Sequence, residues 1–215
     1  MNIIEEIIKR SENNRIIEDV YSFKDDDLEV IAKTYNLWDN LSDEEKYFYK
    51  NQTGLQLEKS EKSEYIYGEL TKNGVESLWK FLKTIYNPND VLYDIGSGNG
   101  KLLLHLSLIS DFSKLIGIEK NKIRHQYSLE ISKTSIFKNV NFICDDVLNH
   151  SLGDANIIFM NDVVFGEDLV KKITSKLKKG THLISFEENG LDIKNEIEVE
   201  VSWIPLPVKF KHYII

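Results

Sequence analysis

LYDIGSGNGKLLLHL, residues 92–106, is the stretch that decides the fold. An apolar run leads into Asp94 and three alternating glycines, Gly96, Gly98 and Gly100, and a helix-like run follows. Glycines after a parallel strand let the chain turn tightly and bring its backbone close to a ligand at the next helix N-terminus. Dinucleotide sites have the pattern G-x-G-x-x-G, whose third glycine is replaced here by Lys101. The stretch therefore predicts a strand, a ligand-binding turn and a helix.

Short apolar runs alternate with helical segments along the rest of this region. The runs lie at 91–94, 114–118, 140–144, 156–160 and 181–185. Such alternation predicts parallel strands with right-handed crossovers, which form a doubly wound sheet. Near the C-terminus, apolar residues instead alternate with acidic ones over 197–203 and with lysines over 208–213. That pattern predicts an antiparallel hairpin with Glu and Lys paired on its solvent face.

The length and composition fit one α/β domain with some additional elements. The chain has 215 residues, of which 41% are hydrophobic and 29% charged. No apolar run approaches the roughly 20 residues of a membrane span, and a single cysteine excludes an intrachain disulfide. The five histidines show no metal-ligand spacing, and a net charge of −8 disfavours direct nucleic-acid binding. We expect an intracellular protein without metal or membrane partner.

The chain divides into a helical N-terminal region, 1–66, and an α/β domain, 67–215. Helices are predicted at Ile3 to Arg10 and Asp25 to Trp38, and Ser42 followed by Glu45 predicts a capping box. The polar segment LEKSEKSE, 57–64, is predicted to connect the two regions. In the basic run 171–179, two apolar residues four positions apart predict an amphipathic helix with a lysine-rich solvent face.

The D-x-G-x-G-x-G spacing resembles the first motif of class I S-adenosylmethionine (SAM) methyltransferases. Acids also follow the next two predicted strands: Glu119 after the second, and Asp145 with Asp146 after the third. Strand ends of a parallel sheet share one edge, so these acids and Asp94 are expected to converge on one crevice. The resemblance implies a Rossmann-like fold with a mostly parallel, seven-stranded sheet. It also implies that Glu119 binds the ribose and that the Asp pair lies near the adenine amine.

One methyltransferase family is resembled more closely: the non-SET histone-lysine methyltransferases called disruptor of telomeric silencing. The resemblance covers about residues 64–215. The motifs that carry it are YIYGELT (65–71), YDIGSGNGKLLLHL (93–106), GIEK (117–120), IIFMNDVVFGEDL (157–169) and VSWIPLPVKF (201–210). The Asn-x-x-x-Phe-Gly element and the Ser-Trp ending are the more specific ones.

The resemblance assigns residues to the cofactor and to the acceptor. It places Tyr67, Gly68, Glu69 and Thr71 in a loop that closes over SAM, with Glu69 engaging the cofactor. It places Asn161 beside the site of methyl transfer, in contact with the cofactor too. A narrow channel for the target lysine is assigned to Phe165, Leu183, Ser185, Trp203 and Phe210. This chain departs from the family at Leu70, which separates Glu69 from Thr71, at Asp162 in place of a second Asn, and at Phe210 in place of a Tyr.

Such a channel suits amine methylation. A lysine with a pKa near 10.4 is neutral at pH 7 in only about 1 molecule in 2,500. A dry aromatic channel beside a sulfonium disfavours the ammonium form, so no dedicated base is required. The sequence thus predicts a SAM-dependent protein-lysine methyltransferase, cytoplasmic, or nuclear if its acceptor is a histone. A noncatalytic SAM-binding protein and transfer to a non-histone protein, a nucleic-acid amine or a small molecule remain alternatives, although NDVVF (161–165) lacks the Pro-Pro of base-amine methyltransferases.

Overall fold

Seven strands form one mixed sheet in the order β3-β2-β1-β4-β5-β7-β6. The computed structural model describes residues 3–22, 27–50, 67–133 and 136–215. The strands are β1 (Val91–Ile95), β2 (Lys114–Glu119), β3 (Val140–Cys144), β4 (Ile157–Met160), β5 (His182–Ser185), β6 (Asn195–Val199) and β7 (Val208–Ile214). The helices are α1 (Ile3–Ser22), α2 (Asp27–Thr34), α3 (Asp43–Lys50), α4 (Lys72–Leu82), α5 (Lys101–Ile109), α6 (Lys122–Ile131) and α7 (Glu167–Thr174).

The first five strands are parallel and lie where the apolar runs predict them. The sheet has helices on both sides, and its two faces carry separate apolar cores. Val75, Leu78 and Leu82 of α4 pack with Leu92 and Phe159 on one face. Val170 and Ile173 of α7 pack with Tyr93 and Ile158 on the other. The predicted doubly wound α/β fold is confirmed.

Strands β6 and β7 form the predicted antiparallel hairpin at the edge of the sheet. Glu198 stands opposite Lys209, and the Nζ atom of Lys209 lies 2.7 Å from a carboxylate oxygen of Glu196, so the solvent face carries the expected charge pairing. The first strand of the hairpin ends at Val199, earlier than the alternation suggested. The chain continues instead to Val201, which bridges to Leu70 ahead of α4.

The N-terminal helices share a core with the α/β domain. Val20 of α1, Leu28 of α2 and Tyr49 of α3 belong to one buried cluster with Leu104 of α5 and Tyr127 of α6. The predicted capping box is present, since the backbone N–H groups of Ser42 and Glu45 each donate to the other residue's side chain. The predicted connection at 57–64 and residues 23–26 lie outside the described residues. None of the described helices is long and apolar enough to span a bilayer.

The predicted amphipathic helix in the basic run is shorter than expected. Helix α7 ends at Thr174, and the buried Leu177 lies in the turn that follows. Lys171 and Lys172 are exposed, but the ammonium of Lys176 donates to the backbone carbonyl of His150 at 3.1 Å. The apolar residues of this run therefore pack on the sheet face that carries Tyr93 and Ile158, and most of its lysines are exposed to solvent.

His105 lies on the buried side of α5. Its side chain is 1% exposed, and its Nδ1 lies 3.2 Å from the hydroxyl of Tyr21 on α1. Burial, and to a smaller extent the Lys72 ammonium, lower the pKa of His105 from 6.5 to about 4. The neutral imidazole is therefore the folded form at neutral pH.

Acid is expected to destabilise the fold through His105. The pKa of His105 is lower in the folded protein than in the unfolded chain, so protonation favours unfolding. The contribution of the neutral imidazole to stability is therefore complete above pH 6.5 and is lost as the pH falls toward 4. The size of this contribution is about 2 kcal/mol at pH 5. Urea unfolding at pH 7.5 and pH 5 should show that the wild type loses about that much more stability than His105→Gln. Equal losses in the two proteins would remove His105 from the acid response.

Candidate functional site

The turn between β1 and α5 has the backbone geometry that the glycines predict. Gly96, Gly98 and Gly100 have φ values of 76°, 53° and 78°, in the left-handed region that disfavours other residues. A Cβ on Gly98 would lie 2.5 Å from the ring of Tyr67, so glycine also permits a close contact there. Phe165 packs on Gly96 in the same way, because a Cβ there would lie 3.0 Å from its ring. The turn is therefore covered by two aromatic rings.

Glu119 ties the end of β2 to this turn. Its two carboxylate oxygens accept the backbone N–H of Gly98 at 2.8 Å and of Asn121 at 2.7 Å. Asp94 at the end of β1 is 4% exposed, and burial together with the charge of Glu119 raises its pKa to about 8. The two acids thus interact across adjacent strands.

The acids after β3 lie at the rim of the crevice. The backbone N–H of Asp145 donates to the Glu119 carbonyl, while its carboxylate contacts Asn149 at 2.8 Å and His150 at 3.0 Å. Hydrogen bonds from the Asn149 side chain and the Asp146 backbone hold the pKa of Asp145 below its usual value. Asp146 accepts the backbone N–H of Leu148 and caps the short 3₁₀ helix there. Both carboxylates are therefore set in fixed local geometry.

The segment 67–71 forms a wall over the turn. The side-chain amide of Asn161, just after β4, donates to the carbonyl of Gly68 at 2.9 Å. On the other side, Glu69 exchanges hydrogen bonds with Ser202, whose Oγ accepts at 3.0 Å and whose backbone N–H donates at 2.9 Å. Thr71 caps α4 by accepting the backbone N–H of Gly74 at 3.1 Å. The loop is therefore fixed to β4, to the hairpin and to α4.

A buried cation holds the acid of this loop. The Lys101 ammonium lies 2.7 Å from one oxygen of Glu69, and Lys101 is 7% exposed. The Tyr67 hydroxyl donates to the other oxygen of Glu69 at 2.5 Å. Lys101 was not predicted as a site residue. The available signal was its place at the first position of α5, where the helix dipole disfavours a cation unless an anion is near.

Arg124 is a second basic residue that sequence reasoning missed. It is 3% exposed on α6, and its guanidinium lies 4.6 Å from the centroid of the Tyr67 ring. Tyr67 is thus held between this cation and the glycine turn, where cation–π attraction is favourable. No local pattern in the sequence marks this contact, because it joins two segments more than 50 positions apart.

Several buried polar atoms at this site lack a partner among the described residues. They are the Oγ of Ser97, both amide atoms of Asn99 and the Oδ1 of Asn161. Leaving such atoms unpaired is costly, so they mark a place for water or for a polar ligand. Together with the glycine backbone and three acids, they suit a ligand that has an amino acid end and ribose hydroxyls, as SAM has.

An aromatic group lies beside the loop, formed by part of the predicted channel. Trp203 packs on Gly68, since a Cβ there would lie 2.4 Å from its ring. Phe186 makes edge contacts with Trp203 and Phe210, with centroids 6.4 Å and 5.6 Å apart, and Phe210 stacks on Phe159. Phe186, which follows Ser185 directly in the sequence, was not predicted as a member of this group.

The remaining predicted channel residues lie elsewhere. Leu183 is fully buried in the core on the opposite face of the sheet, with Tyr213, so the structure does not bring it to Phe210. Alternation along β5 explains the separation, because Ile184 and not Leu183 shares the face of Phe210. Phe165 packs on the glycine turn. Of the residues predicted to line the channel, the structure thus places Trp203 and Phe210 around Phe186.

Asp162 and Ser185 shape the segment that carries Phe186. One oxygen of the fully buried Asp162 accepts the backbone N–H groups of Phe186 at 2.7 Å and Glu187 at 3.0 Å. Burial raises the pKa of Asp162 to about 6 despite these bonds. The Ser185 hydroxyl donates to the carbonyl of Glu187 at 3.2 Å and accepts from Asn189. Both residues therefore position the chain behind the aromatic group.

Comparison with known families identifies this arrangement. The model of the family described as "Histone methylation protein DOT1" matches residues 49–201, which is most of the chain. The chain belongs to the DOT1 family. Membership confirms the predicted family and, with it, the prediction of a SAM-dependent methyltransferase. The DOT1-family match includes the loop, the glycine turn and Asn161, and it ends at Val201, just before Ser202 and Trp203.

One relative and two solved structures are also similar to this chain. A protein-lysine N-methyltransferase of Saccharolobus islandicus is 26% identical over 116 residues, which are 52% of this chain and 72% of that protein. Among solved structures, an RNA methyltransferase from Salinibacter ruber in complex with S-adenosyl-L-homocysteine (SAH) superposes with a TM-score of 0.55 at 17% identity, over 68% of this chain and 93% of that one. Magnesium protoporphyrin IX methyltransferase from Synechocystis PCC 6803 gives 0.53 at 14% identity, over 66% and 78%. These two structures establish the class I methyltransferase fold alone.

Proposed function

We propose that this protein transfers methyl groups from SAM to a lysine side-chain amine of a protein. The observation that carries the proposal is the position of Asn161. Its amide nitrogen holds the Gly68 carbonyl, and its buried Oδ1 has no partner among the described residues. Gly68 also contacts Trp203, so Asn161 lies where the cofactor loop and the aromatic group meet. The protein-lysine methyltransferase activity named for the archaeal relative supports this acceptor.

Different residues of the chain would bind different parts of SAM. SAM supplies, when bound, a sulfonium methyl group whose carbon an amine lone pair can attack, with the thioether S-adenosyl-L-homocysteine as the leaving group. The glycine turn and Asp94 would hold its amino acid end, Glu119 its ribose, and Asp145 with Asp146 the adenine side. Tyr67 and Glu69 would close the loop over it. These groups exclude water and fix orientation, which is the main contribution an enzyme makes to such a displacement.

Asn161 and the aromatic group would receive the acceptor amine. An amine hydrogen can be accepted by the free Oδ1 of Asn161, which directs the nitrogen lone pair away from that oxygen. The partly buried rings of Phe186 and Trp203 would give the lysine side chain apolar surface that disfavours its ammonium form, and the fully buried Phe210 packs against Phe186. A net charge of −8 also attracts basic protein surfaces. A core histone, free or in the nucleosome, is the acceptor implied by the family.

Labelled SAM tests the proposal directly. Nucleosomes, free core histones and a cell lysate would be incubated with the protein and labelled SAM, alongside the same lysate with its lysine amines blocked by acetylation. We expect label on lysine that disappears on blocking. Label on histones identifies the acceptor class, and label on lysines of other proteins keeps the activity but removes histones. Label that survives blocking, on nucleic acid or small molecules, overturns the proposal.

A further inference from the structure

A tyrosine of the N-terminal helices reaches the candidate cofactor site. Tyr49 on α3 is 6% exposed, and its ring packs against Trp38 with centroids 6.2 Å apart. Its hydroxyl forms a hydrogen bond with the side-chain amide nitrogen of Asn121, the residue that precedes α6. The helical region, predicted from sequence as an appendage, therefore touches the segment that follows β2.

Asn121 connects this tyrosine to the acid predicted to bind ribose. The side-chain oxygen of Asn121 accepts the backbone N–H groups of Ile123 and Arg124, both at 3.1 Å, and so caps α6. The backbone N–H of Asn121 donates to one oxygen of Glu119 at 2.7 Å. The other oxygen of Glu119 accepts from Gly98. A continuous series of hydrogen bonds thus joins α3 to the glycine turn.

The side chain of Asn121 is fully engaged by this arrangement. Its oxygen serves the helix cap, and its nitrogen serves the hydroxyl of Tyr49. Without that hydroxyl, the amide nitrogen loses a buried partner and the amide group is free to rotate out of the cap. The backbone N–H that fixes the Glu119 carboxylate would then lose its restraint. Supporting groups of this kind set the orientation of residues that bind ligands directly.

We propose that Tyr49 is a positioning residue for the cofactor. It acts through Asn121 to fix the carboxylate of Glu119 for the ribose hydroxyls, which makes α3 a part of the SAM site. This inference rests on the proposed function, because it takes SAM as the ligand and Glu119 as its ribose partner.

Calorimetric titration with SAH tests the inference without any acceptor. Tyr49→Phe keeps the ring and its packing but removes the hydroxyl, and we expect SAH to bind about 5- to 10-fold more weakly. Tyr47→Phe is the matched control, because Tyr47 lies on the same helix and is 63% exposed. That variant should bind SAH as the wild type does. Equal affinity of the Tyr49→Phe protein and the wild type would overturn the inference.

A double-mutant cycle separates positioning from a general structural role. In a Glu119→Gln background, Tyr49→Phe should weaken SAH binding by less than twofold, since the residue it positions is already changed. The same 5- to 10-fold loss in both backgrounds would mean that Tyr49 acts on the fold, and would overturn the inference. A Glu119→Gln protein with wild-type affinity would overturn it too. Failure of the wild type to bind SAH would instead remove the proposed function.

Discussion

Replacing Asn161 by alanine is expected to lower the rate of methyl transfer by about 100-fold at saturating SAM and acceptor, the usual effect of losing a polar group at a reacting centre. The substitution removes the buried Oδ1 that would receive the amine and the donor that holds the Gly68 carbonyl. Asn161 lies beyond the end of β4 and outside the three apolar cores. The fold should therefore be retained.

Steady-state turnover with a lysine-containing acceptor measures the loss, and thermal unfolding checks the fold. Asn89→Ala is a suitable control, because Asn89 is exposed in the turn before β1 and its described contact uses its backbone carbonyl. Wild-type turnover in the Asn161→Ala protein would exclude Asn161 from the site. A fall in turnover accompanied by an equally weakened affinity for SAH would assign Asn161 to the loop rather than to the acceptor.

Removal of the Glu119 carboxylate is the second large effect that we expect. Glu119→Ala should weaken SAH binding by about 1–3 kcal/mol, the cost of losing a charge-assisted hydrogen bond. The loss includes an indirect part, because the backbone N–H groups of Gly98 and Asn121 lose their acceptor and the turn loses a restraint. In affinity this is about 5- to 150-fold.

Calorimetry with SAH measures this change in the absence of acceptor. Glu198→Gln is the matched control. Glu198 faces solvent on β6 opposite Lys209, and its substitution removes the same charge at a distance from the turn. Unchanged affinity of the Glu119→Ala protein would refute the ribose assignment. A similar loss in the control would assign the effect to net charge.

The sheet could be predicted because its signals are local. Each parallel strand is a short apolar run. The residues from Leu92 to Ile95 are buried in the cores on both faces of the sheet, and a strand buried on both faces needs a continuous apolar sequence. The turn between β1 and α5 could also be predicted, because left-handed φ values at three alternate positions favour glycine. The hairpin followed from alternation with period two, although its first strand is shorter than the pattern.

The walls of the site could not be read in the same way, because they depend on contacts between distant segments. The Lys101–Glu69 pair joins residues 32 positions apart, and nothing near Lys101 indicates its partner. Leu183 was assigned to the lysine channel by its position in the family motif. The face of β5 on which its side chain lies depends instead on tertiary packing. The structure therefore brings together more of the residues predicted for the cofactor crevice than of those predicted for the acceptor channel.

The attachment of the loop to the hairpin has a consequence for how the protein is made. Glu69 and Ser202 are separated by 133 positions, yet each supplies a hydrogen bond to the other. Long-range pairing of this kind is slow and forms late in folding. On the ribosome, the loop 67–71 and the glycine turn emerge well before Ser202, which lies between β6 and β7. The hydrogen bonds that attach the loop to the hairpin can therefore form only after β6 has been synthesised.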